Sequence, residues 1–175
     1  MKTAAHKKGF TRQNFVKQNL GGFTLIEALV ALVLLTMTLA PILYFSSTSA
    51  DVATSIINNM IAANLAQEGA EVIRAIRDSN YFADTAFDTE LMSGTYEVQW
   101  DSQPPLIATI GVPNQLKIDA SGLYNYLSGT DSMFFRTITI NKVSSVELVV
   151  TSEVTWTERS RDRSVEVEDH LYDWK

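Results

Sequence analysis

Two hydrophobic patterns divide the chain. From Phe23 to Phe45 the residues are mostly apolar, and Glu27 is the one charge among them. At about 1.5 Å rise per helical residue, such a run spans the roughly 30 Å hydrocarbon layer of a bilayer. From Asp51 to Ser79 the pattern turns amphipathic. Ile57, Ile61 and Leu65 recur at every fourth position, and Val72, Ile73 and Ile76 continue the stripe. Asn58, Asn64, Glu68, Glu71 and Arg74 fall on other faces. Together the two stretches predict one helix over 23–79, apolar all round in its first half and one-faced in its second. Pro41 sits inside it. A proline offers no N–H and crowds the carbonyl four residues back, so a kink or local loosening is expected there.

Beyond Gly94 the period changes to two. Tyr96, Val98 and Trp100 alternate with Glu97 and Gln99, which predicts a half-buried strand. Leu116–Leu127 reads as two short strands about a turn at Ser121-Gly122. Phe134–Val143, Val146–Trp156 and Arg163–Glu168 predict an antiparallel meander, with a polar turn at Glu158–Asp162. Residues 80–93 are rich in turn formers and read as a linker, and prolines bracket a loop between Pro104 and Pro113. Leu171, Tyr172 and Trp174 are expected to pack back on the sheet. The core register predicted is Val146, Leu148, Val150, Val154 and Trp156 against Ile61, Leu65, Val72 and Ile76. The fold class is therefore α+β: a long N-terminal transmembrane and amphipathic helix packed on a C-terminal antiparallel sheet.

Charge sharpens the division. Residues 1–22 carry five basic and no acidic residues, whereas residues 23–175 carry nine basic and 20 acidic ones. A basic head before an apolar helix describes a targeting and insertion device, and its positive side should stay cytoplasmic. Its lysines are placed to meet anionic headgroups. The acidic body argues against nucleic-acid binding by the folded part. With no cysteine in the chain, no disulfide framework exists. GxGxxG, P-loop, HExxH and GxSxG patterns are absent, and the histidines are His6 and His170. Asp84, Asp88 and Glu90 lack the spacing of a calcium loop. The expectation is a protein that is not an enzyme and has no metal and no cofactor.

Glu27 is what an ordinary membrane anchor or secretory signal would lack. A carboxylate entering hydrocarbon is costly, though the positive end of the helix dipole offsets part of that cost. Gly22-Phe23-Thr24-Leu25-Ile26-Glu27, followed by the apolar helix, resembles the type IV prepilin signal of pilins and pseudopilins. The resemblance implies a cut between Gly22 and Phe23 by a membrane prepilin peptidase, which also N-methylates Phe23. It implies Glu27 as an assembly residue and Pro41 as a point where the helix loosens in the fibre. At 22 residues the leader is long for the short-leader class of such signals.

The organisation implied is a prepilin leader over 1–22, a transmembrane and assembly half-helix over 23–50, and a pilin-like head over 51–175. The partners implied are the peptidase, other pilin subunits in a helical filament, an inner-membrane assembly platform, and membrane lipid before assembly. The precursor would cross the inner membrane once with its N-terminus in the cytoplasm. The mature chain would then enter a periplasmic or extracellular filament, of the fimbrial kind used in adhesion or protein secretion. The stretch Ala63–Glu71 with Ile76-Arg77-Asp78 is similar to the helix of some minor pilins. Val-Thr-Trp and Arg-Ser-Val around the last turn resemble both minor pilins and minor pseudopilins of type II secretion. A minor pilin is the leading expectation. A minor pseudopilin is the alternative, and an unprocessed single-pass binding protein is the third.

Overall fold

The computed structural model describes residues 22–174. The predicted leader, Gly22 apart, lies outside the described residues. The chain divides into two units, Met1–Ser47 and Thr48–Lys175. Helix α1, Leu25–Phe82, supplies everything described of the first unit beyond Gly22–Thr24 and the opening element of the second. The helix runs unbroken past Pro41, which itself has no N–H to donate to the carbonyl of Met37. Thr36 and Thr38 turn their hydroxyls back to the carbonyls of Val33, Leu34 and Leu35, so neither presents a bare hydroxyl to an apolar surrounding.

The helix ends three residues later than its periodicity predicts. Asp84 takes φ 57°, and its N–H donates to Tyr81 O at 3.2 Å while Thr85 N–H donates to Asn80 O at 3.0 Å. These two bonds form a Schellman cap with an aspartate where glycine is usual, so no glycine marks the stop. Residues 83–93 then do more than link. Phe87 and Leu91 are buried with Tyr81, and Asn80 Nδ2 holds the carbonyls of Phe87 and Thr89.

Seven strands follow: β1 Gly94–Glu97, β2 Ile107–Ala108, β3 Gln115–Ile118, β4 Tyr124–Asn125, β5 Thr130–Ser144, β6 Glu147–Glu158 and β7 Arg161–Tyr172. All pairings are antiparallel. β5 takes β6 along one edge; along the other it takes β1 at its C-terminal end and β3 at its N-terminal end. β2 extends β1, β4 extends β3, and β7 closes the far side on β6. The meander is therefore as predicted, with β7 longer than its alternation suggests. β6 and β7 meet through Arg159-Ser160, at φ 51° and 59°. That is the φ pattern of a type I′ turn, which glycine or asparagine fills most easily. A left-handed backbone costs an ordinary residue about 1–2 kcal/mol.

The sheet face toward α1 alternates as its sequence demands. Phe134, Arg136, Ile138 and Ile140 of β5 are buried, as are Leu148, Val150, Ser152, Val154 and Trp156 of β6. Two apolar clusters result. One gathers Ile73, Ile76, Phe87, Ile138, Leu148 and Leu171; the other gathers Ala62, Leu65, Phe134, Val154 and Trp156. Between them in sequence, on all three elements, stand Gly69, Arg136 and Ser152. A Cβ on Gly69 would lie 2.5 Å from Ile138 Cδ1 and 2.7 Å from Ser152 Oγ, so the helix reaches its closest approach to the sheet there.

Six expected positions fall elsewhere: Tyr172 and Trp174 are 49% and 68% exposed, the latter with its ring against Tyr81 of α1, and four more lie in or beside the helix and strands. Ile57 is 56% exposed and Asn58, on the expected polar side, is buried. The inward stripe runs through 58, 62, 65, 69, 73 and 76, a three-four spacing that a strict four-residue step overshoots. Val146 is 51% exposed because it precedes β6 in the turn. Trp100 is 53% exposed because β1 stops at Glu97, after which consecutive Glu97 and Val98 are both buried. β2, in the proline-bracketed loop, has no alternation long enough to announce it.

Candidate processing and assembly site

The site is linear and lies at the start of α1. Gly22 is exposed, and nothing comes within 4 Å of where a Cβ would stand on it. The fold of the free chain therefore places no demand for glycine here. Phe23 is 76% exposed. Thr24 starts the helix: its carbonyl accepts from Ala28 N–H at 3.1 Å, and its Oγ1 accepts from Glu27 N–H at 3.2 Å. This is the N-cap half of a capping box, with a threonine at the cap and a glutamate three positions on. The cap goes beyond what the sequence pattern alone suggests here, although T-x-x-E is its signal. The same four residues lie inside the prepilin motif, which accounts for the glutamate without any cap.

Glu27 thus sits in the first helical turn, where the dipole favours an anion. Among the described residues it makes no ion pair. The apolar side chains behind it are exposed: among the described residues none from 22 to 50 is buried. Among the described residues this is the one helix long and apolar enough to cross a membrane. Tyr44, at the end of the run, is an interfacial residue type. Away from the helix start, Asp88 pairs with Lys142 on β5. His170 lies on β7, with Nδ1 2.8 Å from Glu147 and Nε2 3.2 Å from Glu168. These carboxylates hold its pKa above the ordinary histidine value.

Residues 18–43 match the family described as the prokaryotic N-terminal methylation motif. No curated protein and no solved structure matches the chain. The chain carries a type IV pilin-like prepilin signal, the mark of a protein processed by prepilin peptidase. The signal continues directly into the exposed apolar helix, as a membrane-anchored precursor requires.

Proposed function

We propose that the chain is a structural subunit, not an enzyme, of a type IV pilus or related filament, and specifically a minor pilin. The observation that carries the reading is the prepilin signal running without a break into an apolar helix that is exposed throughout residues 25–50. Exposed apolar area on this scale must be covered by lipid or by protein. In the precursor, lipid covers it; in the filament, the helices of neighbouring subunits do. Cleavage between Gly22 and Phe23 followed by methylation of Phe23 converts the first state to one that can leave the membrane. The assembly platform would then carry the subunit outward with the α+β head facing away from the fibre axis. Filaments sheared from cells and subjected to N-terminal sequencing test this. The reading expects a sequence beginning at methylated Phe23. Recovery of the chain with residues 1–22 attached, or its absence from filaments with an intact membrane pool, would overturn it.

A further inference from the structure

Three of the nine basic residues after Gly22 fall within five positions, Arg159, Arg161 and Arg163. They line a cavity of about 240 Å³ with Ser55 of α1 and Glu158 of β6. Alternation explains the convergence. Val165, Val167 and Leu171 put one face of β7 against the core, and Arg163 and Arg161 continue that face beyond it. Of the acids near them, two accept from neutral donors and keep their charge, and one pairs with Arg159. Glu158 accepts from Ser55 Oγ at 2.9 Å and from Asn58 Nδ2 at 3.0 Å. Asp51 pairs with Arg159, and Asp162 accepts from Thr157 Oγ1 at 2.9 Å. Among the described residues Arg161 and Arg163 have no ion-pair partner. The turn adds an independent sign. Arg159 and Ser160 hold left-handed backbone angles that asparagine and glycine would adopt with less strain. Strain retained beside a charged cavity points to use.

Chain length says where this cavity can be. Asp51 stands six residues after Phe45, the last residue of the apolar run. Six residues span at most about 20 Å even when fully extended, so Asp51 stays within reach of the headgroup layer that ends the apolar run. Arginine side chains extend further still and bind phosphate through a planar fork of donors. We infer that Arg159, Arg161 and Arg163 form a binding site for the phosphate of an anionic phospholipid on the head side of the membrane. This site would seat the subunit before it is extracted into a filament. The inference rests on the membrane-anchored reading above.

The test uses the full chain in detergent with equimolar phosphatidylglycerol and phosphatidylcholine, and native mass spectrometry of the lipids it retains. The expected result is a preference for phosphatidylglycerol. Arg161→Gln with Arg163→Gln should lower that preference about 30-fold, since each arginine near an anionic surface contributes a factor of about five. The basic leader is common to both proteins and cancels. Replacing the turn by Arg159→Asn with Ser160→Gly should raise the thermal midpoint and lower the preference together, which a purely structural hairpin would not do. Equal preference in wild type and the double glutamine variant overturns the site. Loss of bound lipid to millimolar inorganic phosphate overturns the lipid as its occupant and leaves a free-anion site. Flotation with neutral phosphatidylcholine vesicles separates the premises: a chain that does not float fails the membrane reading, and one that floats without lipid preference fails this inference alone.

Discussion

At the scale of single residues, the centre of the head is decided by what is small and what is charged. Arg136 is fully buried, yet its Nη1 donates to Leu65 O and to Glu68 Oε1, both at 2.9 Å, and its Nη2 to Val98 O. The guanidinium thus fastens helix, sheet and the β1 exit at one point, and the half-exposed Glu68 supplies the counter-charge. Ser152 faces the same point with a buried hydroxyl that finds no hydrogen-bond partner among the described residues. Ser152→Ala is therefore expected to be neutral or to stabilise by up to about 1 kcal/mol. Gly69→Ala gains helix propensity of about 1 kcal/mol but forces contacts that cost about 1–3 kcal/mol, so a net loss is expected. In the double variant the Oγ contact is gone. Denaturant unfolding should then show coupling between the two sites, and strict additivity would place the helix further from the sheet. On β7, His170 and Glu147 stabilise one another. The raised pKa of His170, due first to its bond with Glu147, means its contribution is full below the ordinary value and is lost as pH rises through the raised one. The lowered pKa of Glu147, due first to His170, gives a contribution that is present above its ordinary value and lost on acidification. Head stability should thus fall as pH rises above the ordinary histidine value near 6.5, and His170→Gln should flatten that slope in thermal unfolding.

At the scale of elements, the packing of β6 on α1 carries the second cluster. Trp156 is 2% exposed and meets Phe134 edge-on at 5.7 Å between ring centroids. Trp156→Ala should cost about 3–5 kcal/mol in urea unfolding of the head, and a loss under about 1 kcal/mol would contradict this register. The strands legible in the sequence are those with long alternation, because a buried face repeated over ten residues leaves one register. β6 shows itself even though Ser152 interrupts its apolar face. The helix is legible in extent and, from Ile61 to Ile76, in facing; at the start of the stripe Ile57 and Asn58 exchange the roles their polarity suggests. Asn58 is buried because Glu158, a hundred residues on, meets its side chain, and no local pattern encodes that. The same reason hides the arginine cavity: three arginines in a hairpin resemble a solvated turn until Asp51 and Ser55 are set beside them. The prepilin signal is legible because a peptidase reads a linear stretch, so its specification is local by necessity.

At the scale of the whole molecule, Glu27 is the one charge in an apolar segment that must be satisfied first in one environment and then in another. The capping bond from Thr24 uses the backbone amide of Glu27, so the helix start survives loss of the carboxylate. What the carboxylate adds within one chain is the dipole interaction, about 0.3–1 kcal/mol near a helix N-terminus. In the filament reading proposed above, its greater use would lie between chains. After cleavage Phe23 bears a positive amine, and methylation retains that charge. Glu27 stands one turn along the same helix, so the two can meet internally, or the amine of an incoming subunit can meet Glu27 of the subunit above it. Apolar contacts between helices are non-directional and allow many axial offsets. An ion pair in a low-dielectric fibre core does not, because a charge left unpaired there costs several kcal/mol. Glu27→Val should therefore leave insertion, cleavage and head stability intact and lower incorporation into filaments. Glu27→Asp should lie between, since its shorter arm retains the charge with less reach. Quantifying the mature chain in membranes and in sheared filaments decides the matter. Equal filament fractions from equal membrane pools, in wild type and Glu27→Val, would remove assembly from its role and leave the carboxylate as part of what the peptidase reads.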